Sequence, residues 1–154
     1  MSNYLVDSHC HLDCLDPKGW DNGLQGALDQ AQQFGVGHML CVSIELETFP
    51  NMLSIVRQHA NVSASVGVHP TVRDGKEPSA DELIVLADDP DIVAIGETGL
   101  DYFRSEGDLD WQRERFRQHI AAAKQCNKPL IIHNRESTED CLEILASEGA
   151  QDVG

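Results

Sequence analysis

The sequence predicts an α/β fold with parallel strands, and three observations carry that expectation. Short apolar runs alternate strictly with amphipathic helical stretches, five times along the chain. Runs such as Met39-Leu40-Cys41-Val42 and Ile92-Val93-Ala94-Ile95 are continuously apolar, as expected of strands buried on both faces. Four of the five runs are followed closely by a histidine or a glutamate.

Taken in order, Leu5-Val6-Asp7 opens a short strand. Leu24, Ala27, Leu28 and Ala31 recur at i, i+3, i+4 and i+7, one face of a helix, with Gly35 and Gly37 as punctuation. Met39 to Val42 is the second strand. Thr48 is placed to cap a second helix, with Pro50 in its first turn and Met52, Ile55, Val56 and His59 inward. Val62 to Val68 is the third strand. Ser79-Ala80-Asp81-Glu82 has capping-box spacing; Leu83, Leu86 and Ala87 follow at helical intervals, and Pro90 ends the element.

Ile92 to Ile95 is the fourth strand. Asp108 is placed to cap a helix whose Leu109, Phe116, Ile120 and Ala123 share a face. Pro129 starts the fifth strand, Leu130 to Ile132. Ser137 caps the last helix, with Leu142 and Leu145 inward and Gly149 as its stop. Asp152-Val153-Gly154 reads as the approach to another strand.

Two architectures fit this alternation. A doubly wound open sheet is complete at 154 residues, whereas a (β/α)₈ barrel needs roughly 250 and is cut off here. Periodicity does not choose between them; the placement of chemistry does.

Composition narrows the function classes. Hydrophobic residues at 41% and charged residues at 24% fit one ordinary globular domain. No apolar run approaches the ~18 residues of a membrane span, so no membrane association is expected. The first residues have neither a basic region nor a long apolar stretch, which predicts no signal peptide and a cytoplasmic location. Five cysteines without CxxC spacing predict reduced, mostly buried thiols. Alternation points Cys10 away from its histidine neighbours, into the wall of the fold. A formal charge of −15 argues against a basic nucleic-acid-binding surface. It leaves open a polyanionic substrate at one metal-loaded spot, where bound cations dominate the local field.

In Asp7-Ser8-His9-Cys10-His11, an extended chain points His9 and His11 the same way, roughly 6–7 Å apart, with Asp7 on the same side. Two such imidazoles converge on one divalent cation with slight bending; the alternative is a pair of ordinary surface or core histidines. His69, in Gly67-Val68-His69-Pro70, ends the third strand and alone reads equally as a satisfied core residue. Glu97 follows the fourth apolar run, where a carboxylate is costly unless paired or metal-bound; Arg104 or Arg135 is its alternative partner. His133 follows the fifth run, its alternative being a hydrogen bond to a carbonyl. His38, His59 and His119 lack this placement and read as structural or surface residues. Only the second strand, ending near Val42-Ser43-Ile44, offers no ligand. Ligand-type residues at several strand ends match the rim where βα barrels build active sites, which favours the barrel.

The segments VDSHCHLD (6–13), VGVHP (66–70), IGETGLDYF (95–103) and KPLIIHNRE (128–136) resemble the TatD family of metal-dependent deoxyribonucleases, within the amidohydrolase-like barrels. The resemblance implies a TIM-type (β/α)₈ barrel of which residues 1–154 form the N-terminal portion, truncated after about five βα units. It implies two divalent metal ions (Zn, Mn or Mg), with His9 and His11 on one, His133 on the other and Glu97 bridging both. Glu97 and His69 are then the catalytic candidates, His69 as a phosphate contact or hydrogen-bond support, and Asp7 and Asp101 orient imidazoles from behind. The implied reaction is two-metal hydrolysis of DNA or another phosphodiester, without a membrane or a stable protein partner. The family's later ligands, a His after the sixth strand and an Asp after the last, fall beyond Gly154, so little or no activity is expected of this chain alone. Three other readings stay open. One is a barrel hydrolase of another ester or an amide, and one is a fragment binding at most one metal. The third is an open-sheet binding protein, against which the lack of a GxGxxG or P-loop motif counts.

Overall fold

The computed structural model describes residues 4–151 and Val153. Five strands alternate with five helices: β1 (Leu5–Cys10), α1 (Gly23–Gln33), β2 (Val36–Cys41), α2 (Phe49–Val56), β3 (Val62–Val66), α3 (Ala80–Ala87), β4 (Ile92–Asp101), α4 (Asp110–Cys126), β5 (Leu130–Arg135) and α5 (Thr138–Ser147). The strands form one parallel sheet in the order β1-β2-β3-β4-β5. Every βα unit therefore steps in the same direction, and all strand C-termini lie at one end. A doubly wound sheet reverses its strand order at a switch point; none occurs among the described strands.

The main core packs Leu28, Met52, Val56 and Leu83 from the helices against Met39, Ala64, Val66, Ile92 and Ile95 of the sheet. A smaller cluster of Leu100, Phe116, Ile120, Cys141 and Ile144 joins α4 and α5 to the end of β4. The outer strands are less covered: Leu5 and Val6 of β1 and Ile132 of β5 are exposed. Among the described residues no helix is long and apolar enough to cross a membrane. All five cysteines are free, and the Cys10 thiol donates to the Leu40 carbonyl at 3.3 Å while packing against the core.

Several local expectations are corrected. β4 does not stop at Ile95 but runs to Asp101, and β5 runs to Arg135, so Glu97 and His133 lie inside strands rather than beyond them. Glycine allows the extension. Gly99 has φ +125°, and a Cβ there would stand 2.1 Å from the His133 carbonyl oxygen. This close approach lets pairing resume from Thr98↔Ile132 to Asp101↔Arg135 after a register shift. β3, in contrast, ends at Val66, two residues early.

Half of the capping box forms. Ser79 Oγ accepts from the Glu82 N–H at 3.2 Å, but the Glu82 carboxylate turns to Lys76. Asp108 accepts from the Asp110 N–H at 2.9 Å but stands one residue ahead of the N-cap, Leu109, so it does not cap α4, and Thr48 makes no capping bond for α2. Ser137 does not cap α5, because its hydroxyl is shared between the Leu100 carbonyl and Asn134. That anchor sets the helix phase, so Cys141 and Ile144 face inward while Leu142 is exposed. In α2 the buried residues are Phe49, Met52, Leu53 and Val56, with Ile55 only half-buried, and His59 lies beyond the helix end and is half-buried too. Of the two readings open for His119, structural or surface, the structural one holds: the residue is fully buried. Of the final Asp152-Val153-Gly154 segment, Asp152 and Gly154 lie outside the described residues.

Candidate metal centre

Glu97 is the meeting point of the strand-end histidines. Its Oε2 lies 3.1 Å from His9 Nε2, and its Oε1 lies 3.1 Å from His133 Nδ1 and 3.8 Å from His69 Nε2. Two groups of donors result, His9–His11–Glu97 and His69–Glu97–His133, each with its ligand atoms within 4.8 Å of one another. Glu97 is 7% exposed, and no ion pair joins it to Arg104, Arg135 or any other arginine or lysine among the described residues. Its surroundings are imidazoles. A buried carboxylate needs a positive partner. His69 is a poor one, because burial pushes its pKa down to about 4, with Glu97 pulling it up and His133 pushing it down. Imidazole nitrogens gathered around a buried carboxylate are a donor set that fits a divalent cation, whose bonds to such atoms run about 2.0–2.2 Å.

Hydrogen bonds on the far side of the rings fix which nitrogen carries the proton. His11 Nδ1 is 2.8 Å from the Val42 carbonyl oxygen, which only accepts; Nδ1 therefore donates and Nε2 keeps its lone pair. His133 Nε2 is 2.9 Å from Asp101 Oδ2. Burial opposes ionisation of Asp101, but the Arg104 N–H on Oδ1 at 2.7 Å and the His133 ring hold its carboxyl below the usual range. His133 thus donates from Nε2 and presents the Nδ1 lone pair to Glu97. His69 Nδ1 rests 2.7 Å from Thr71 Oγ1, with Nε2 3.1 Å from His133 Nδ1. Asp101 stands where the sequence reading places an orienting carboxylate. Asp7 acts on the main chain instead, accepting from the His9 N–H at 3.1 Å.

The second strand, which offers no ligand, still builds the floor. Glu97 N–H donates to the Ser43 carbonyl at 3.2 Å, and Ser43 Oγ donates to the Gly67 carbonyl at 2.9 Å. Ser65 Oγ accepts from Ser43 N–H at 3.1 Å and donates to the Gly96 carbonyl at 2.5 Å. These buried hydroxyls lace β2, β3 and β4 together directly beneath the carboxylate. Gly67 keeps the lacing tight, since a Cβ there would stand 2.6 Å from Gly96 Cα.

From outside the sheet, α4 holds the histidine loops. Arg115, 2% exposed, donates to the His69 carbonyl at 2.8 Å and through Nε to Glu77 Oε2 at 2.9 Å. His119 Nε2 accepts from the Val68 N–H at 3.0 Å, its Nδ1 donating to the Arg115 carbonyl at 2.8 Å. Gln112 Oε1 accepts from the Asp101 N–H at 3.0 Å. None of these three was singled out from sequence. A signal existed: residues 112, 115, 116, 119, 120 and 123 share the helix face on which Phe116, Ile120 and Ala123 were expected inward.

The family model described as TatD related DNase matches residues 6–154. The uncharacterized metal-dependent hydrolase YcfH of Escherichia coli (strain K12) is 37% identical over 151 residues, covering 98% of this chain and 57% of that protein. An uncharacterized metal-dependent hydrolase of Buchnera aphidicola subsp. Baizongia pistaciae is 36% identical over 148 residues, covering 96% and 56%. Among solved structures, the TatD homologue YjjV of E. coli K12 superposes with a TM-score of 0.79 at 28% identity, over 93% of this chain and 55% of that one. The chain spans a little over half the length of these relatives.

Proposed function

Because the chain belongs to the TatD-related DNase family, we propose that the Glu97 cluster is the divalent-metal centre of a phosphodiesterase acting on DNA. The observation that carries this reading is Glu97 itself, with one carboxylate oxygen toward each of two imidazole groups. His9 and His11 would hold one ion and His133 the other, with Glu97 between them and His69 at the second position's edge. Bound there, Zn²⁺, Mn²⁺ or Mg²⁺ supplies the Lewis acidity that phosphodiester hydrolysis needs.

The chain's own residues do the rest. Val42 and Asp101 keep the His11 and His133 rings in the tautomers that aim lone pairs inward. His69, neutral near pH 7, offers a hydrogen bond to a phosphoryl oxygen without adding charge of its own. The ladder β1 to β5 belongs, in this reading, to a TIM-type barrel whose remaining strands would supply further ligands and cover the exposed outer strands. Five free thiols suit the reducing cytoplasm.

The test measures metal content and cleavage together. The chain, and the same chain extended by the ~100 residues that a complete barrel of roughly 250 residues requires, are incubated with single- and double-stranded DNA and Mn²⁺. The extended chain is expected to cleave and the short chain to be nearly inert. Glu97→Gln should lower both metal stoichiometry and cleavage. Full metal binding and cleavage by Glu97→Gln would overturn the proposal.

A further inference from the structure

An arginine lies across an exposed phenylalanine just past the strand residues Asp101 and His133. Arg135 ends β5 two residues past His133, and its guanidinium carbon is 4.0 Å from the centroid of the Phe103 ring. Phe103 stands two residues past Asp101 and is 57% exposed. The two strand ends are locked together here: Asp101 pairs with Arg135 in the ladder, and Tyr102 N–H donates to the Arg135 carbonyl at 2.9 Å. Asp101 also receives the His133 ring and the Arg104 N–H. The pair is therefore carried by the same framework as His133, roughly 6–7 Å further along the strand.

Three features distinguish it from ordinary surface. A large apolar ring is left in water although it belongs to a rigid segment. Gln112 Nε2 donates to Ser105 Oγ at 2.7 Å, and Tyr102 OH donates to Asp140 at 2.5 Å, which fixes the segment from both sides. Next, Arg104 and Arg135 have no carboxylate partner among the described residues, in a chain with 26 acidic against 11 basic residues. Last, a flat ring and a flat guanidinium stacked together offer a planar surface with positive charge beside it. That combination matches an unpaired base attached to a phosphate, and it tolerates any base because every base has a π-face.

We propose that Phe103 and Arg135 form a stacking subsite for one nucleobase next to the cleaved phosphodiester, so that the centre selects an unpaired nucleic-acid strand over a base-free phosphodiester. The inference rests on the phosphodiesterase reading of the metal centre and adds the residues that recognise the strand. A base inside a duplex hides its face, so single strands and frayed ends are the fitting substrates.

The experiment compares a labelled thymidine oligonucleotide with a base-free tetrahydrofuran oligonucleotide of equal length, by fluorescence anisotropy at one salt concentration with Ca²⁺. Wild type should bind the thymidine strand more tightly. Phe103→Leu should weaken that binding about tenfold and leave the base-free strand unchanged. Arg135→Lys, which keeps charge but loses the flat face, should move in the same direction, and Phe103→Trp should tighten the thymidine strand. Circular dichroism melting confirms that each variant folds. Equal weakening of both strands, or no discrimination by wild type, overturns the subsite. Cleavage of the same strands with Mn²⁺ separates the two readings. With the chain extended by the ~100 residues of a complete barrel, Phe103-dependent binding without cleavage supports the subsite and sinks the hydrolase, while cleavage indifferent to Phe103→Leu sinks the subsite alone.

Discussion

The Oδ2 atom of Asp101 sits 2.9 Å from Nε2 of His133 while Oδ1 takes the Arg104 N–H at 2.7 Å. Both oxygens accept, so the carboxylate fixes the ring's proton on Nε2. In Asp101→Asn the Arg104 N–H claims the single amide oxygen, and the NH₂ group is forced toward His133. The ring must then accept at Nε2 and carry its proton on Nδ1, directed at Glu97. Affinity for Zn²⁺ or Mn²⁺ should fall about 10–100-fold, measured by competition against a chelating dye. Unchanged affinity would remove Asp101 from the orienting role.

Gly99 makes the approach of β4 to β5 possible. Ala at this position combines an unfavourable φ of +125° with a Cβ 2.1 Å from backbone. Gly99→Ala should cost about 3 kcal/mol or more in urea denaturation, or prevent folding. Gly35 is the control: its φ is +89° but nothing lies within 4 Å of its would-be Cβ. Gly35→Ala should cost only the backbone strain, about 1 kcal/mol. Similar costs at both sites would mean that close packing at Gly99 is unimportant.

Much of this arrangement was legible in the sequence because period and position carry it. Apolar runs broken by amphipathic stretches yield the five βα units, and the strand-end positions of His9, His11, Glu97, His69 and His133 pick out the cluster. The long reach of β4 was hidden, since its apolar run ends at Ile95 and nothing in the sequence marks Gly96 and Gly99 as the places where two backbones touch. The Ser43–Ser65–Gly96 lacing was hidden for another reason: serine hydroxyls in strands carry no periodic signature, and their partners are backbone carbonyls from other strands. The phase of α5 failed because Ser137 spends its hydroxyl on Leu100 rather than on a cap.

Arg115 and Glu77 form a lopsided pair, and the asymmetry is measurable. The Arg115 side chain is 1% exposed and the Glu77 side chain 54%. Arg115→Met leaves the His69 carbonyl without its donor in a dry setting, which should cost about 2 kcal/mol in urea denaturation. Glu77→Gln removes only the solvated partner and should cost under about 1 kcal/mol. An equal cost for the two changes would place the stabilisation in the ion pair rather than in the bond to His69.

His119 makes folding sensitive to mild acid. Burial pushes its pKa down to about 4 from an ordinary 6.5; the Arg115 carbonyl opposes that shift, the Arg115 charge adds to it and Glu77 opposes it. Above pH 6.5 neither the folded nor the unfolded chain holds a proton on this ring, and its contribution to stability is complete. Between 6.5 and about 4 the unfolded chain binds the proton and the folded one does not, so stability falls as pH falls. The full loss is about 3 kcal/mol. Protonation would also remove the Nε2 lone pair that the Val68 N–H needs. His119→Gln retains an acceptor that does not titrate. Urea midpoints at pH 7.5, 6.5, 5.5 and 4.5, taken with chelator present, should decline less steeply in this variant than in wild type. His69, also held near 4, keeps part of the slope in both proteins. Parallel profiles for the two proteins would show that His119 is not the acid-sensitive joint between α4 and the β3 loop.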